Sequence, residues 1–390
     1  MGQAEVLFFF TGCFVRMTDG CHVRACQDLE MLVATDRSVA VYSYRNHGQW
    51  PWREADIENF HRRFPTVELV LDDWTFTLRI AQKVRSIAAI VGGRLGTWAQ
   101  NIRIPGASPG LDKLRELASL RVAVVNYTWG SSHLNGRPAP RIIIDTHDLM
   151  SLERIQERPA GILDLAAYSR LRQELFYLSL ADEIWSISYS EFWFLRAFLG
   201  VARIRMVPPA LRSWELTRDI SDQYPRFDLV FVGSDNRWNG KSVTALLRTC
   251  DAWGIGLKIG IAGAVCTNEE VRSVAEKIPG VELLGFVDDL DRLYASARAA
   301  VCPVEGTGTK IKLIEALKAG RPVFAAAGSM AGLLPGYETC VFPIDRNTVE
   351  HVLHDPRSLA AAQAAAISYS KVYDMEIVTE QVRSSIKHLA

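Results

Sequence analysis

The stretch of this chain best placed to do chemistry runs from Ala299 to Val323. A buried-strand pattern ends in Glu305-Gly306-Thr307-Gly308, a helical pattern begins near Thr309, and Gly320 followed by Pro322 closes it in the positions favoured after a helix. Such a turn is an anion site. Backbone N–H groups and the positive end of the helix dipole point at it, and Gly306 and Gly308 let an oxygen approach the main chain closely, so a diphosphate fits. Glu315 falls about one and a half turns into the helix, where it could accept two hydroxyl hydrogen bonds from a ribose. Alternatively it pairs with Lys312 at i, i+3 on a solvated face.

A second glycine loop runs Gly233-Ser234-Asp235-Asn236-Arg237-Trp238-Asn239-Gly240-Lys241-Ser242, again between a strand and a helix start. Lys241 and then Arg237 are its cations, against a reading as plain surface charge. The loop misses a Walker A motif, because six residues rather than four separate its first glycine from Gly-Lys-Ser. In the first half, Ile142-Ile143-Ile144-Asp145-Thr146-His147-Asp148 sets polar residues directly at a strand's carboxyl end, where parallel sheets bind ligands. His147 is the candidate there, the alternative being a histidine that satisfies local backbone groups.

The Ala299–Val323 stretch resembles the signature of the retaining GT-B glycosyltransferases of the glycosyl transferases group 1 family, roughly P…G-x-G-T-[RK]-x-K-x-x-E-A-x-x-x-G-x-P-V. Further similarities follow in family order: Leu229-Val230-Phe231-Val232-Gly233, then Ile261-Ala262-Gly263, then Leu284-Gly285-Phe286-Val287-Asp288-Asp289-Leu290. The resemblance covers about residues 228–335. It implies that Glu315 holds the donor ribose, that Gly306, Thr307 and Gly308 form the phosphate turn, that Thr309 and Lys310 hold the distal phosphate through their N–H groups, and that Val287 meets the base. It implies further that Gly233 opens the loop in which Lys241 and Arg237 neutralise the diphosphate, although Ser234 stands where the family often has Arg. Thr307 stands where the family often has a sugar-binding Glu. His147 matches a histidine that touches the donor sugar. The loop Thr11–His22 matches the acceptor side, giving Asp19, Gly20 and His22 as acceptor candidates.

Composition is consistent with these assignments. Hydrophobic residues make up 48% of the 390 residues and charged residues 23%, as in a folded globular protein. Lys plus Arg and Asp plus Glu number 44 each, so no global field recruits nucleic acid. Seven cysteines, scattered and never spaced C-x2-C, argue against a disulfide framework and a zinc site and suggest a cytoplasmic protein. Val6–Phe10 lacks the flanks of a signal peptide and reads as a first strand. Phe192-Trp193-Phe194-Leu195 and Trp50-Pro51-Trp52-Arg53 place aromatics near basic residues, which leaves peripheral contact with the inner face of a membrane open beside core packing.

The elements that must position these residues alternate as βα units. In the first half, strand patterns fall at Val6–Phe10, Ser38–Tyr44, Val67–Leu71, Val122–Asn126, Arg141–Asp145 and Glu183–Ile187, with helical periodicity over Trp74–Val91 and Leu163–Leu180. A short strand at Arg205–Val207 stops at Pro208-Pro209, and Ser213–Arg226 reads as a linker. A second alternation places strands at Leu229–Val232, Leu257–Ala262, Val281–Leu284, Ala299–Val304 and Pro322–Ala326. The expected fold is α/β, GT-B, with two doubly wound Rossmann-like domains facing across a cleft. The expected division is 1–210 on the acceptor side, 211–358 for the nucleotide sugar, and 359–390 as terminal helices packing back toward the first domain.

The implied activity is transfer of a sugar, with retention, from a UDP- or GDP-sugar to a carbohydrate, lipid-linked or small-molecule acceptor. Lys241, Lys310 and His147 are the catalytic candidates, and no cofactor is expected beyond the donor itself. No metal is expected, since the nearest acidic pair, Asp288-Asp289, reads as part of the base-side loop. The rivals are an inverting transferase with His22 as base, a GT-B-shaped binding protein without transferase activity, a nucleotide-sugar epimerase and a P-loop nucleotidase.

Overall fold

The computed structural model describes residues 4–117, 119–152, 165–200, 203–212, 225–306 and 308–387. Two compact units result, Met1–Ala210 with Glu376–Ala390, and Leu211–Met375. Most of the linker pattern, residues 213–224, lies outside the described residues, as do Leu163 and Thr307.

The first unit is built on strands β1 (Val6–Phe9), β2 (Val39–Tyr44), β3 (Glu68–Asp72), β4 (Val122–Asn126), β5 (Arg141–Asp145), β6 (Glu183–Ser186) and β7 (Ile204–Met206). They form one parallel sheet in the order β3-β2-β1-β4-β5-β6-β7. Val6 pairs with both Val39 and Val122, so β1 is the central strand; it is buried along its whole length, and so it is continuously apolar rather than alternating. Each such Val, Leu or Phe contributes about 1.5–3 kcal/mol by leaving water.

The second unit holds β8 (Phe227–Val232), β9 (Ile259–Ala262), β10 (Val281–Gly285), β11 (Ala297–Cys302), β12 (Val323–Ala325) and β13 (Val341–Pro343). Its parallel sheet runs β10-β9-β8-β11-β12-β13. Side chains alternate between two cores: Leu229, Phe231, Ala299 and Val301 pack on one face, Val230, Ala300 and Cys302 on the other. Strand β13 is short and carries Pro343, and no strand pattern in the sequence marks it.

In both sheets the chain begins in the middle, winds to one edge and returns to the other side of the starting strand. The crossovers therefore diverge between β1 and β4 and between β8 and β11, and open crevices at the carboxyl ends of those strands. The C-terminal region is two helices. Pro356–Ser370 belongs to the second unit, while Met375–Lys387 anchors to the first through Ser385, whose Oγ donates to Glu183 Oε1 at 2.7 Å, and through Arg383, which donates to the Ala34 carbonyl at 2.8 Å.

Candidate functional site

At the β8–β11 switch point, three adjacent strands end in glycine for a steric reason. A Cβ on Gly263, after β9, would lie 2.3 Å from the Gly233 carbonyl oxygen, and a Cβ on Gly233, after β8, would lie 2.6 Å from the Phe231 ring. Gly263 adopts φ +94° and Gly285, closing β10, φ +67°, in the region that favours glycine. The strand ends thus approach closely enough for Gly263 N–H to bond the Gly285 carbonyl at 2.6 Å.

After β11 the glycine turn takes the shape its sequence suggests. Gly306 and Gly308 have φ +127° and +77°. The turn is held from behind by helix Ala327–Ala331: Gly328 N–H donates to Glu305 Oε2 at 2.8 Å, and Thr309 Oγ1 donates to the Gly332 carbonyl at 3.0 Å. The following helix is Ile311–Lys318, with Lys310 as its N-cap, so the first-turn amides are those of Ile311 and Lys312. Because Thr309 is tied back to Gly332, the helix starts two residues later than its pattern suggests. Glu305, the carboxylate nearest to Thr307 in sequence, is taken up by Gly328.

Glu315 and Lys312 do not form the surface pair that their spacing allows. Lys312 turns away, donating from Nζ to Asn239 Oδ1 at 2.7 Å and lying 4.5 Å from the Phe231 ring centroid. Asn239 is buried and saturated. Its Nδ2 donates to the Ser234 carbonyl at 2.8 Å and to Ser234 Oγ at 3.2 Å, which fixes its Oδ1 toward Lys312. Burial pushes the Lys312 ammonium down to about 8, with Lys310 adding to the effect. The Glu315 carboxylate accepts no hydrogen bond from any described residue. Part of its surface reaches solvent, yet protein surrounds the carboxyl, and that desolvation pushes it up to about 7 against the pull of Lys312. Lys312 fills the fixed Lys of the G-x-G-T-[RK]-x-K-x-x-E pattern yet is not among the candidates; its partner, 73 positions away, lies beyond any local spacing signal.

The other donor-side candidates are more exposed. Lys241 is exposed on helix Arg237–Trp253, and Arg237, its first residue, lies with the guanidinium carbon 4.8 Å from the Trp238 ring centroid. Asn236 caps that helix, accepting from Asn239 N–H at 2.8 Å. Val287, after β10, packs partly buried against the core that includes Tyr294, and Tyr294 Oη donates to the Lys312 carbonyl at 3.2 Å.

In the first unit, His147 follows β5 and its ring stacks on Tyr127, which follows β4, at 4.3 Å between centroids. Both residues have positive φ, +54° and +66°, a strain of about 1 kcal/mol or more each that tends to gather at functional sites. Asn126 Nδ2 donates to the Phe9 carbonyl at 2.9 Å, so its Oδ1, 2.7 Å from His147 Nε2, accepts a hydrogen bond from the imidazole Nε2–H. That leaves Nδ1 as the acceptor nitrogen. Burial pushes His147 down to about 4 despite Asp145, 3.2 Å from Nε2, so the ring is neutral at pH 7.

Asp28, Asp145 and His147 come within metal-ligating distance of one another. Their charge is already answered by a buried guanidinium. Arg24 binds Asp145 in a fork, Nη2 to Oδ1 at 3.0 Å and Nε to Oδ2 at 3.2 Å, and reaches Asp28 at 3.1 Å. Burial raises the Asp28 carboxyl well above the ordinary range. For Asp145 burial acts the same way, but Arg24 and His147 outweigh it and hold the group low. We read this cluster as a brace that sets His147. Of the acceptor candidates, Gly20 is exposed at the start of helix Gly20–Val33 and Asp19 is its N-cap. His22 is buried, with Nδ1 3.1 Å from Thr18 Oγ1 and Nε2 without a hydrogen-bond partner among the described residues.

Residues 226–367 match the family described as glycosyl transferases group 1. No curated protein matches the chain in sequence. In structure it is similar to sucrose-phosphate synthase from Thermosynechococcus elongatus, with TM-score 0.68 and 14% identity over 99% of each chain. It is similar to WaaG, a glycosyltransferase involved in lipopolysaccharide biosynthesis, with TM-score 0.59 and 17% identity over 98% of this chain and 99% of that one. A mutant of TarM from S. aureus, in complex with fondaparinux, alpha-GlcNAc-glycerol and UDP, gives TM-score 0.63 at 8% identity over 98% and 99%. Identities this low establish the fold. Residues 226–367 are thus a glycosyl transferases group 1 domain, a glycosyltransferase domain, on a chain with the GT-B fold.

Proposed function

We propose that the protein transfers a sugar, with retention, from a UDP- or GDP-sugar to a carbohydrate, lipid-linked or small-molecule acceptor. The observation that carries this reading is the pair on helix Ile311–Lys318. Glu315 offers a desolvated carboxylate with no donor among the described residues, and Lys312 an ammonium with spare N–H bonds, both behind a glycine turn. Ribose hydroxyls would satisfy the first and a diphosphate the second. UDP in the TarM complex supports the donor class.

Catalysis in such a reaction rests on stabilising charge that develops on the departing diphosphate as the sugar becomes oxocarbenium-like. Lys312 joins Lys241, Lys310 and the helix start in that role. Neutral His147, held through Nε2, presents Nδ1 as an acceptor for a sugar hydroxyl. An inverting reaction would instead need a general base on the acceptor side, for which His22 is the candidate.

The test is a thermal-shift screen of UDP- and GDP-sugars, because a bound donor stabilises the folded state by mass action. NMR of the product anomer follows. Stabilisation by at least one nucleotide sugar and a retained anomeric configuration are expected. A nucleoside diphosphate that binds without any sugar turnover would favour a binding protein, and an inverted product would overturn retention.

A further inference from the structure

The helix Phe76–Val91 turns an apolar stripe to solvent. Phe76, Ile80, Val84, Ile87 and Val91 are all exposed, Phe76 by 77% and Ile87 by 64%. At about 100° per residue they fall within an arc of about 80° and run about 22 Å along the helix. The opposite face is the buried one, carrying Leu78, Arg85, Ala88 and Ala89. The next helix, Gly93–Asn101, packs against it and also exposes Leu95 and Trp98, the latter by 64%. A run of this size on one face exceeds the scattered exposed apolar residues of an ordinary surface.

Charge tells what covers it. The chain is neutral overall, yet residues 74–111 contain five Arg or Lys and no Asp or Glu. Arg79 and Lys83 border the apolar arc on one side and Arg94 lies in the first turn of the second helix; all three are exposed and none forms an ion pair among the described residues. Another protein surface would ask for paired or neutral rims, whereas apolar side chains bordered by unpaired cations suit a lipid surface bearing anionic headgroups. No helix among the described residues is long and apolar enough to cross a membrane. We propose that Phe76–Val91 and Gly93–Asn101 seat the protein on an anionic membrane surface, with the apolar arc among the acyl chains and Arg79, Lys83 and Arg94 at the headgroups. This docking does not depend on the donor reading.

Flotation of the full-length protein with vesicles of phosphatidylcholine plus about 30% phosphatidylglycerol tests it. Binding is expected with the anionic vesicles, weaker with pure phosphatidylcholine and weakened by added salt. The triple variant Phe76→Ser/Ile87→Ser/Trp98→Ser, changed only at exposed positions, is expected to lose about ten-fold or more in partitioning while its stabilisation by nucleotide sugars stays as in the wild type. Arg79→Glu/Lys83→Glu is expected to lose the anionic preference, and it decides the question if the triple variant fails to fold. The proposal is overturned if the wild type floats with no vesicle, or if the variants float equally well. It is equally overturned if the protein is a dimer that the triple variant makes monomeric with no lipid binding in either form.

Discussion

Replacing Glu315 with Gln should make the protein more stable and a poorer donor binder at once. Desolvation pushes the carboxyl from 4.5 up to about 7. A raised folded pKa means that folding favours the protonated form. The group therefore costs nothing below about 4.5, and its cost grows as pH rises, levelling off above about 7. At about 1.36 kcal/mol per pH unit the full gap is about 3 kcal/mol. Gln has nearly the same shape and no charge to desolvate. Chemical denaturation at several pH values should show the variant equal to wild type near about pH 4 and more stable by about 3 kcal/mol near about pH 8. Calorimetric titration with a UDP- or GDP-sugar, whose doubly esterified diphosphate does not titrate here, should show about ten-fold weaker binding, as expected when a charged acceptor of hydroxyl hydrogen bonds becomes a neutral one. A stability difference that stays flat across this range would refute the desolvation argument. Unchanged affinity for every UDP- and GDP-sugar would refute the ribose assignment.

Lys312→Met should weaken nucleotide-sugar binding about ten-fold at neutral pH. In the wild type, affinity should fall above about 8 as Nζ loses its proton, and the variant should lack that alkaline limb in the same titration. His147→Ala should slow turnover by about 10- to 100-fold in a coupled assay while nucleoside diphosphate affinity is kept; loss of that affinity would remove the residue from its sugar-contact role. Gly263→Ala should destabilise the second unit by about 2–3 kcal/mol in urea melts, because its Cβ would fall 2.3 Å from a backbone oxygen at φ +94°. A loss under about 0.5 kcal/mol would mean that the strand ends can separate.

Much of the fold was legible because its signals are local. Buried parallel strands are continuous apolar runs, so β1, β4, β5, β8 and β11 stand out as Val, Ile, Leu, Phe and Ala stretches between helical patterns. Strand β13 escaped because three residues ending in proline carry no periodicity. The apolar stripe on Phe76–Val91 escaped for another reason. Its sequence has helical spacing on two faces at once, and only the packed structure tells which face the protein keeps for itself.

The candidate site divides in the same way. Gly306, Gly308 and Glu315 were legible because a turn, a helix start and a position inside that helix are all set by residues a few places apart. Lys312 stands in the same pattern, where spacing alone offers Glu315 as its partner. The structure gives it Asn239 instead, in the first turn of helix Arg237–Trp253, held from the loop after β8 by Ser234. The diphosphate at a switch point needs positive charge at a place rather than at a sequence position, and adjacent parallel strands bring two loops to that place. Lys312 thus comes to lie beside the loop after β8, although 73 positions separate it from Asn239. Asn239, saturated by Ser234 on one side and by Lys312 on the other, is the fixed acceptor that holds the ammonium near the end of β8.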